Sequence, residues 1–147
     1  MAFDARAFFE KFFHRLWVER DPSAATDFRA PTMLSFGLAK TGLGADPYHA
    51  FYDHVVATFE TTRVDIVHCL QSGDEVALKL AFHGKTRGGR VVEFRGMAFL
   101  RVENDKIVAA DNLFDVAGLL HAIGGPLAPA ASTLDGAVIA IATAEAR

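Results

Sequence analysis

The hydrophobic repeat of this chain changes partway along, from helical spacing to strict alternation, and that switch limits the possible folds more than any other feature. Phe8, Phe9, Phe12, Phe13, Leu16 and Trp17 recur three and four residues apart, which predicts an amphipathic helix. Glu10, Lys11, His14 and Arg15 take the other side, and Asp4 stands where an N-cap is needed. Asp21-Pro22 and Asp46-Pro47 each place a capping carboxylate before a proline that suits a first helical turn. The first pair opens a short helix through Phe28, ended by Pro31. The second opens a helix that carries Tyr48, Phe51, Tyr52, Val55, Val56 and Phe59.

From Val64 the period is two. Val64 to Leu70 reads as a strand and Ser72-Gly73-Asp74 as a turn. Val76, Leu78, Leu80 and Phe82 then alternate with Ala77, Lys79, Ala81 and His83. Arg87-Gly88-Gly89-Arg90 is a hairpin turn, Val91 to Glu103 a long strand, Asn104-Asp105 a further turn, and Lys106 to Leu113 the last strand. A shorter strand is expected earlier, over Thr32 to Leu38, with Leu34, Phe36 and Leu38 on one face, before a glycine loop from Lys40 to Ala45. Helices followed by an antiparallel meander predict an α+β domain, with helices packed on one face of a curved sheet.

At 147 residues one domain is expected. Residues 1–125 are assigned to it and 126–147 to an Ala/Pro-rich tail with a short C-terminal helix, Ala137 to Ala146, that packs on the domain or on a second subunit. Thirteen Phe are more than a core of this size usually asks for, and suit an apolar cavity or a subunit interface. A formal charge of −3 with no basic stripe argues against a nucleic-acid partner. Cys69 is the only cysteine, so no intrachain disulfide can form. No secretory leader is read and no apolar run approaches membrane-spanning length, so a cytoplasmic protein without a membrane partner is expected. No phosphate loop, nucleophile elbow or zinc spacing occurs, and neither cofactor nor metal is expected. His49 and Asp53 lie one helical turn apart beside His54, but a third ligand is missing and a solvated helix face is the better reading.

The ordered set of an aromatic first helix ending in Trp17, a helix before the meander, Ser72-Gly73-Asp74-Glu75-Val76, Arg95-Gly96-Met97-Ala98-Phe99-Leu100-Arg101-Val102 and the closing Lys106-Ile107-Val108, Phe114-Asp115, Gly118-Leu119-Leu120 and Ile123-Gly124 resembles the nuclear transport factor 2-like superfamily. Within it the pattern is similar to the SnoaL-type polyketide cyclase-like group, over about Phe8 to Gly124. The resemblance implies a cone: a bent, mostly antiparallel sheet wrapped around N-terminal helices, of the kind also called cystatin-like, with an apolar pocket inside. Cyclase-type members commonly read Glu-His-Trp-Asp where this chain reads Ala109-Ala110-Asp111-Asn112. The acid/base Asp of that pattern is therefore Asn112 here. An epoxide hydrolase-like site would use an Arg and an Asp two apart on an earlier strand, where this chain has Leu80 and Phe82. That reading fails residue by residue.

Strand parity then selects candidates. Even-numbered strand residues are expected to line the cone, which sends Val108, Ala110, Asn112 and Phe114 inward, along with His68 beside Val64, Ile66 and Leu70. Gly96 and Ala98 are expected to leave volume for a ligand. Asn112 and His68 are the candidate catalytic pair, His68 as a base and Asn112 polarising a carbonyl. Trp17, Phe36, Tyr52, Phe59, Leu80, Phe82, Ala98 and Phe114 are the candidate ligand-binding residues. A bulge would flip the register and bring Asp111 in instead. His83 is expected to point outward and Asp115 to cap the segment after the last strand. The function expected is binding of a small apolar, cyclic ligand, with cofactor-free isomerisation, cyclisation or dehydration as the chemistry if it is an enzyme. The alternative is a non-catalytic carrier or dimer-forming scaffold. Outward Met97 and Phe99, with tail residues Val138, Ile139 and Ile141, point to a homodimer under either reading.

Overall fold

The computed structural model describes residues 2–123 and 133–145. Helix α1 spans Ala5–Phe13, and its N-cap Asp4 accepts a hydrogen bond from the Ala7 N–H at 3.1 Å. The helix then widens into a π turn, His14–Val18. Phe9, Phe12, Leu16 and Trp17 are buried along this stretch, each contributing about 1.5–3 kcal/mol by leaving water. The carbonyls at its end are answered by side chains: the Tyr52 hydroxyl donates to Leu16 O at 3.0 Å and the Thr62 hydroxyl to Trp17 O at 2.6 Å. Helix α2, Ser23–Phe28, follows a turn in which Asp21 accepts from the Ser23 N–H. Helix α3, Ala45–Thr58, buries Tyr48, Phe51, Tyr52 and Val55, and Arg20 and Arg87 donate to carbonyls of its last turn.

Five strands follow the order β1-β5-β4-β3-β2. They are β1 Ser35–Phe36, β2 Phe59–Ser72, β3 Glu75–Thr86, β4 Val91–Glu103 and β5 Lys106–Phe114. All neighbours are antiparallel except β1, which runs parallel to β5. Helix α4, Val116–Ile123, is capped by Asp115, which accepts from the Gly118 N–H at 2.8 Å. Helix α5, Leu134–Glu145, packs against α3 and α4 and buries Leu134, Ala137, Val138 and Ile141. Its Asp135 N–H donates to Leu38 O. The Gly124-Gly125-Pro126 boundary and most of the Ala/Pro-rich stretch lie outside the described residues.

Alternation is strict in β4, where Val92, Phe94, Gly96, Ala98, Leu100 and Val102 are all buried. In β2 and β5 it is interrupted. The ladder of β2 skips one residue between Ile66, paired with Leu80, and His68, paired with Lys79. Val67 is the extra residue of a bulge, and beyond it the inward set is odd-numbered. Cys69 packs half-buried against the core, and Gln71 turns back to α1, accepting from the Ala5 N–H and donating to Phe3 O. Leu70 is 72% exposed. In β5 the shift falls earlier, since Val102 pairs with Ile107 and Arg101 with Ala109. Ile107 therefore points inward in place of Val108, and even parity resumes from Ala110 on.

The early strand is shorter than its hydrophobic pattern predicts. Ser35, not Leu34 or Phe36, is the buried residue of β1. Gly37, at a φ of +87°, then turns the chain so close to β5 that a Cβ there would lie 1.7 Å from Asn112 O. Leu43 and Ser35 exchange backbone hydrogen bonds at 2.8 and 2.9 Å, so the glycine loop is closed at its base.

Candidate functional site

The concave side of the sheet and helices α1, α3, α4 and α5 enclose a cavity of about 100 Å³. An engineered apolar cavity of about 150 Å³ in another protein takes up benzene, and sites for drug-sized ligands run to about 300–1,000 Å³. The space therefore suits one small ring, or one end of a larger molecule. Trp17, Phe59, Leu80, Phe82, Ala98 and Phe114 line it. Trp17, Phe59, Phe94 and Phe82 make a continuous aromatic wall, with ring centroids 4.7–6.5 Å apart in tilted and edge-to-face contacts centred on Phe82. Only part of the volume expected over β4 is open. Ala98 faces the cavity, but the Phe114 ring lies against Gly96, where a Cβ would come within 2.3 Å of it.

The polar groups gather toward the opposite, β1–β5 edge: Arg29, Ser35, Tyr48 and Asn112. Ser35 pairs with Ala110 and Phe36 with Asp111, which sets Asn112 just beyond β1. The Asn112 side-chain amide donates from Nδ2 to Phe36 O at 2.9 Å, which ties the two strands together. Arg29, whose backbone bridges Ile107 of β5, donates from Nη2 to Ser35 Oγ and to Leu43 O, both at 3.2 Å. Its guanidinium stacks over the Tyr48 ring, 3.8 Å from the centroid. Burial lowers the pKa of Arg29, with Tyr48 acting the other way. Burial likewise pushes the Tyr48 phenol up to about 12, opposed by the Arg29 charge. Both effects have one cause, the scarcity of water around these groups.

Several expected site residues stand elsewhere. His68 is exposed on the convex side, because the Val67 bulge turns it away from the cone. Asn112 and His68 are thus on opposite faces of the sheet and cannot act on one substrate. Tyr52 is buried, but its hydroxyl is spent on Leu16 O and it does not line the cavity. Phe36 is 49% exposed and borders a shallow outer groove with Leu70, Phe99 and Asp111. His83 lies on the convex side between Asp65 and Glu93, at 3.1 and 3.5 Å. Among the described residues, the cavity wall holds no Asp, Glu or His, and no group of three or more such side chains or cysteines gathers where a metal ion could sit.

Arg29 and Tyr48 were not singled out from sequence. Arg29 follows Phe28 at the end of a short helix, where a basic residue usually meets solvent. Its one sequence signal is its setting, a lone cation between Phe28 and Ala30-Pro31.

Residues 9–110 match the model of the SnoaL-like domain family. No curated protein sequence matches the chain. TsrD from Streptomyces laurentii has a similar structure at 18% identity, with a TM-score of 0.71 over 83% of this chain and 98% of that one. IdmH from Streptomyces antibioticus, which carries a provisional polyketide cyclase assignment, is 17% identical with a TM-score of 0.70 over 83% of this chain and 100% of its own. A protein of ketosteroid isomerase-like fold from Catenulispora acidiphila, in complex with trimethylamine, is 18% identical with a TM-score of 0.65 over 79% and 95% of the two chains. These likenesses extend over the cone and its helices and establish a shared fold.

Proposed function

Because the chain belongs to the SnoaL-like domain family, of the nuclear transport factor 2-like superfamily, we propose that it binds a small, apolar, cyclic molecule bearing an oxygen function inside its cone. The observation that carries this reading is the segregation within the cavity. Aromatic and aliphatic side chains form most of the wall, and Arg29, Ser35, Tyr48 and Asn112 share one end. A scaffold with no guest would gain by filling that space with side chains, since each unfilled methyl-sized void costs about 1 kcal/mol.

Among the described residues the wall supplies donors but no base. Asn112 and Arg29 can polarise a carbonyl or stabilise an enolate, yet isomerisation, cyclisation or dehydration also needs a group to take a proton from carbon. Among the described residues neither the carboxylate of the cyclase pattern nor a histidine stands there. Binding is therefore favoured over catalysis.

Two copies are further proposed to pair through the convex face of the sheet. Phe99 and Leu113 are 67% and 77% exposed, and Met97 pairs with Leu113 across β4 and β5. With Leu70 they form an apolar surface of the sort that marks interfaces. Native mass spectrometry of the purified protein tests both statements. A dimer retaining a small molecule is expected, with Phe99→Asp reducing it to a monomer that still holds the molecule. Empty protein that also takes up none of a panel of cyclic ketones, lactones and aryl carboxylic acids would end the binding reading, and a wild-type monomer would end the dimer.

A further inference from the structure

Arg29 is a buried cation that no carboxylate among the described residues answers. The residue is 6% exposed. Some guanidinium groups meet acids, as Arg15 does Asp21 at 2.7 Å and Arg63 does Asp65 at 2.9 Å, and the half-buried Arg20 donates to backbone carbonyls at the end of α3 without facing the cavity. The partners of Arg29 are neutral: a hydroxyl, a backbone carbonyl and a phenol ring. Nη2 serves both acceptors. Nε is buried without a hydrogen bond, and Nη1 has none among the described residues. Removing a cation from water is costly unless an opposite charge and a full set of hydrogen bonds replace the water. A strap between α2 and the Ser35–Leu43 bridge would need only one neutral donor. A full charge with spare donors is more than that task requires.

The surroundings hold the group ready for a guest. Tyr48 fixes the guanidinium plane from one face, and Ser35 Oγ and Leu43 O fix one nitrogen. The phenol of Tyr48 makes no hydrogen bond among the described residues, and Ser35 and Tyr48 line the same cavity. A planar guanidinium with open donors matches the geometry of a carboxylate. The rest of the wall is apolar, and within it an ion pair is much stronger than in water.

We propose that Arg29, with Ser35 and Tyr48 beside it, anchors a carboxylate borne by a small apolar ring, so that the guest of the cone is an acid rather than a neutral ketone or ester. This rests on the cavity being a ligand chamber, and the test separates the two claims. Benzoate and benzamide have the same ring and nearly the same size but differ in charge. Their binding is measured by calorimetry at neutral pH and by the emission of Trp17, the chain's single tryptophan and part of the cavity wall. Benzoate is expected to bind at least tenfold more tightly than benzamide. Arg29→Lys keeps a preference for the anion. Arg29→Met removes the preference by weakening benzoate at least tenfold while benzamide, which has no charge to lose a partner for, still binds, and the variant melts no lower than the parent, because a buried unpaired charge has been replaced by an apolar chain of similar length. Equal binding of the two rings to the wild type, or an anion preference that survives in Arg29→Met, would overturn the anchor and leave the chamber standing. Binding of neither ring would overturn the anchor and the chamber together.

Discussion

Deleting Val67 from the middle of a 14-residue strand should be nearly harmless, which is the opposite of what strand geometry ordinarily demands. Removing one residue from a regular strand turns every side chain beyond it to the other face. In β2 the ladder already skips Val67. Ile66 pairs with Leu80 and His68 with the next residue back, Lys79. Joining Ile66 directly to His68 leaves both pairings in place, with Val64 and Ile66 inward, His68 outward, and Cys69 and Gln71 inward as they are now. The loss is the half-buried Val67 side chain, about 1 kcal/mol from the usual value for a fully buried one. Against it stands the backbone entropy of one fewer ordered residue, about 1–2 kcal/mol. The two nearly cancel, and the deletion should melt within about 4 °C of the parent. Deleting Met97 from β4 is the contrasting case, because that ladder has no skipped residue there. It would expose Leu100 and Val102, worth about 1.5–3 kcal/mol each, and press Arg101 into the core, so no cooperative melt is expected. Circular dichroism against temperature compares the two, and the reaction of Cys69 with a thiol reagent reports its side of the sheet. A Val67 deletion as damaging as the Met97 deletion, or one that makes Cys69 freely reactive, would refute the bulge and with it the outward placement of His68.

Gly37→Ala should destabilise by about 3 kcal/mol, of which about 1–2 is the left-handed backbone and the rest the displacement of β1 from Asn112 O. Thermal melting should show a fall of roughly 6–12 °C, and an unchanged melt would mean that β1 does not sit as close to β5. Both tyrosines have phenols pushed up by burial, Tyr48 to about 12. Absorbance near 295 nm should therefore show both phenols ionising above the ordinary tyrosine range in the folded protein, with Tyr48 still mostly neutral at pH 11, and ordinary ionisation of both once urea unfolds it. Since the raised pKa belongs to the folded state, the stability tied to neutral Tyr48 is complete below pH 10 and is lost as pH rises from there through about 12. Ordinary phenol titration in the native protein would contradict the dry setting of Arg29 and Tyr48. At the acid end, Asp21 is held down to about 2 by its hydrogen bonds to Ser23 and then Arg15. Its contribution is present above the ordinary carboxylate value and disappears as pH falls through about 2, so Asp21→Asn should remove part of the acid dependence of the melting temperature.

The fold was legible where one rule acted alone. The helical stripe from Phe8 to Trp17 and the alternation of Val76 to Phe82 and Val92 to Val102 state which face is buried, because the two strands keep their period throughout and the π turn of the helix leaves Leu16 and Trp17 on its buried face. Parity failed where the ladder changed register. Val67 and Val108 are ordinary β-branched residues in apolar runs, and no glycine or proline marks them. A bulge bends its strand, a demand of the curved sheet rather than of the local sequence. Asn112 keeps its inward place because the inward set of β5 is even-numbered after its shift, and His68 loses its own because the inward set of β2 is odd-numbered after its shift. Tyr52 and Phe36 illustrate a second limit. The first is claimed by a carbonyl that the π turn leaves at the end of α1, and the second is turned outward at Gly37. Arg29 was hidden because residue type argues against burial, and only the packing of Tyr48, Ser35 and Leu43 around it reverses that expectation.

The central claim is that the space between Trp17, Phe82 and Asn112 is a binding chamber and not a packing defect. Ala98 projects into it beside its cross-strand partner Asn112, so Ala98→Leu fills it from the sheet. Ligand-observed NMR with a library of small cyclic ketones, lactones and aryl acids should find binders to the wild type that release from Ala98→Leu, while the variant melts at or above the parent temperature. Absence of binders, or binders indifferent to the filled cavity, would contradict the account.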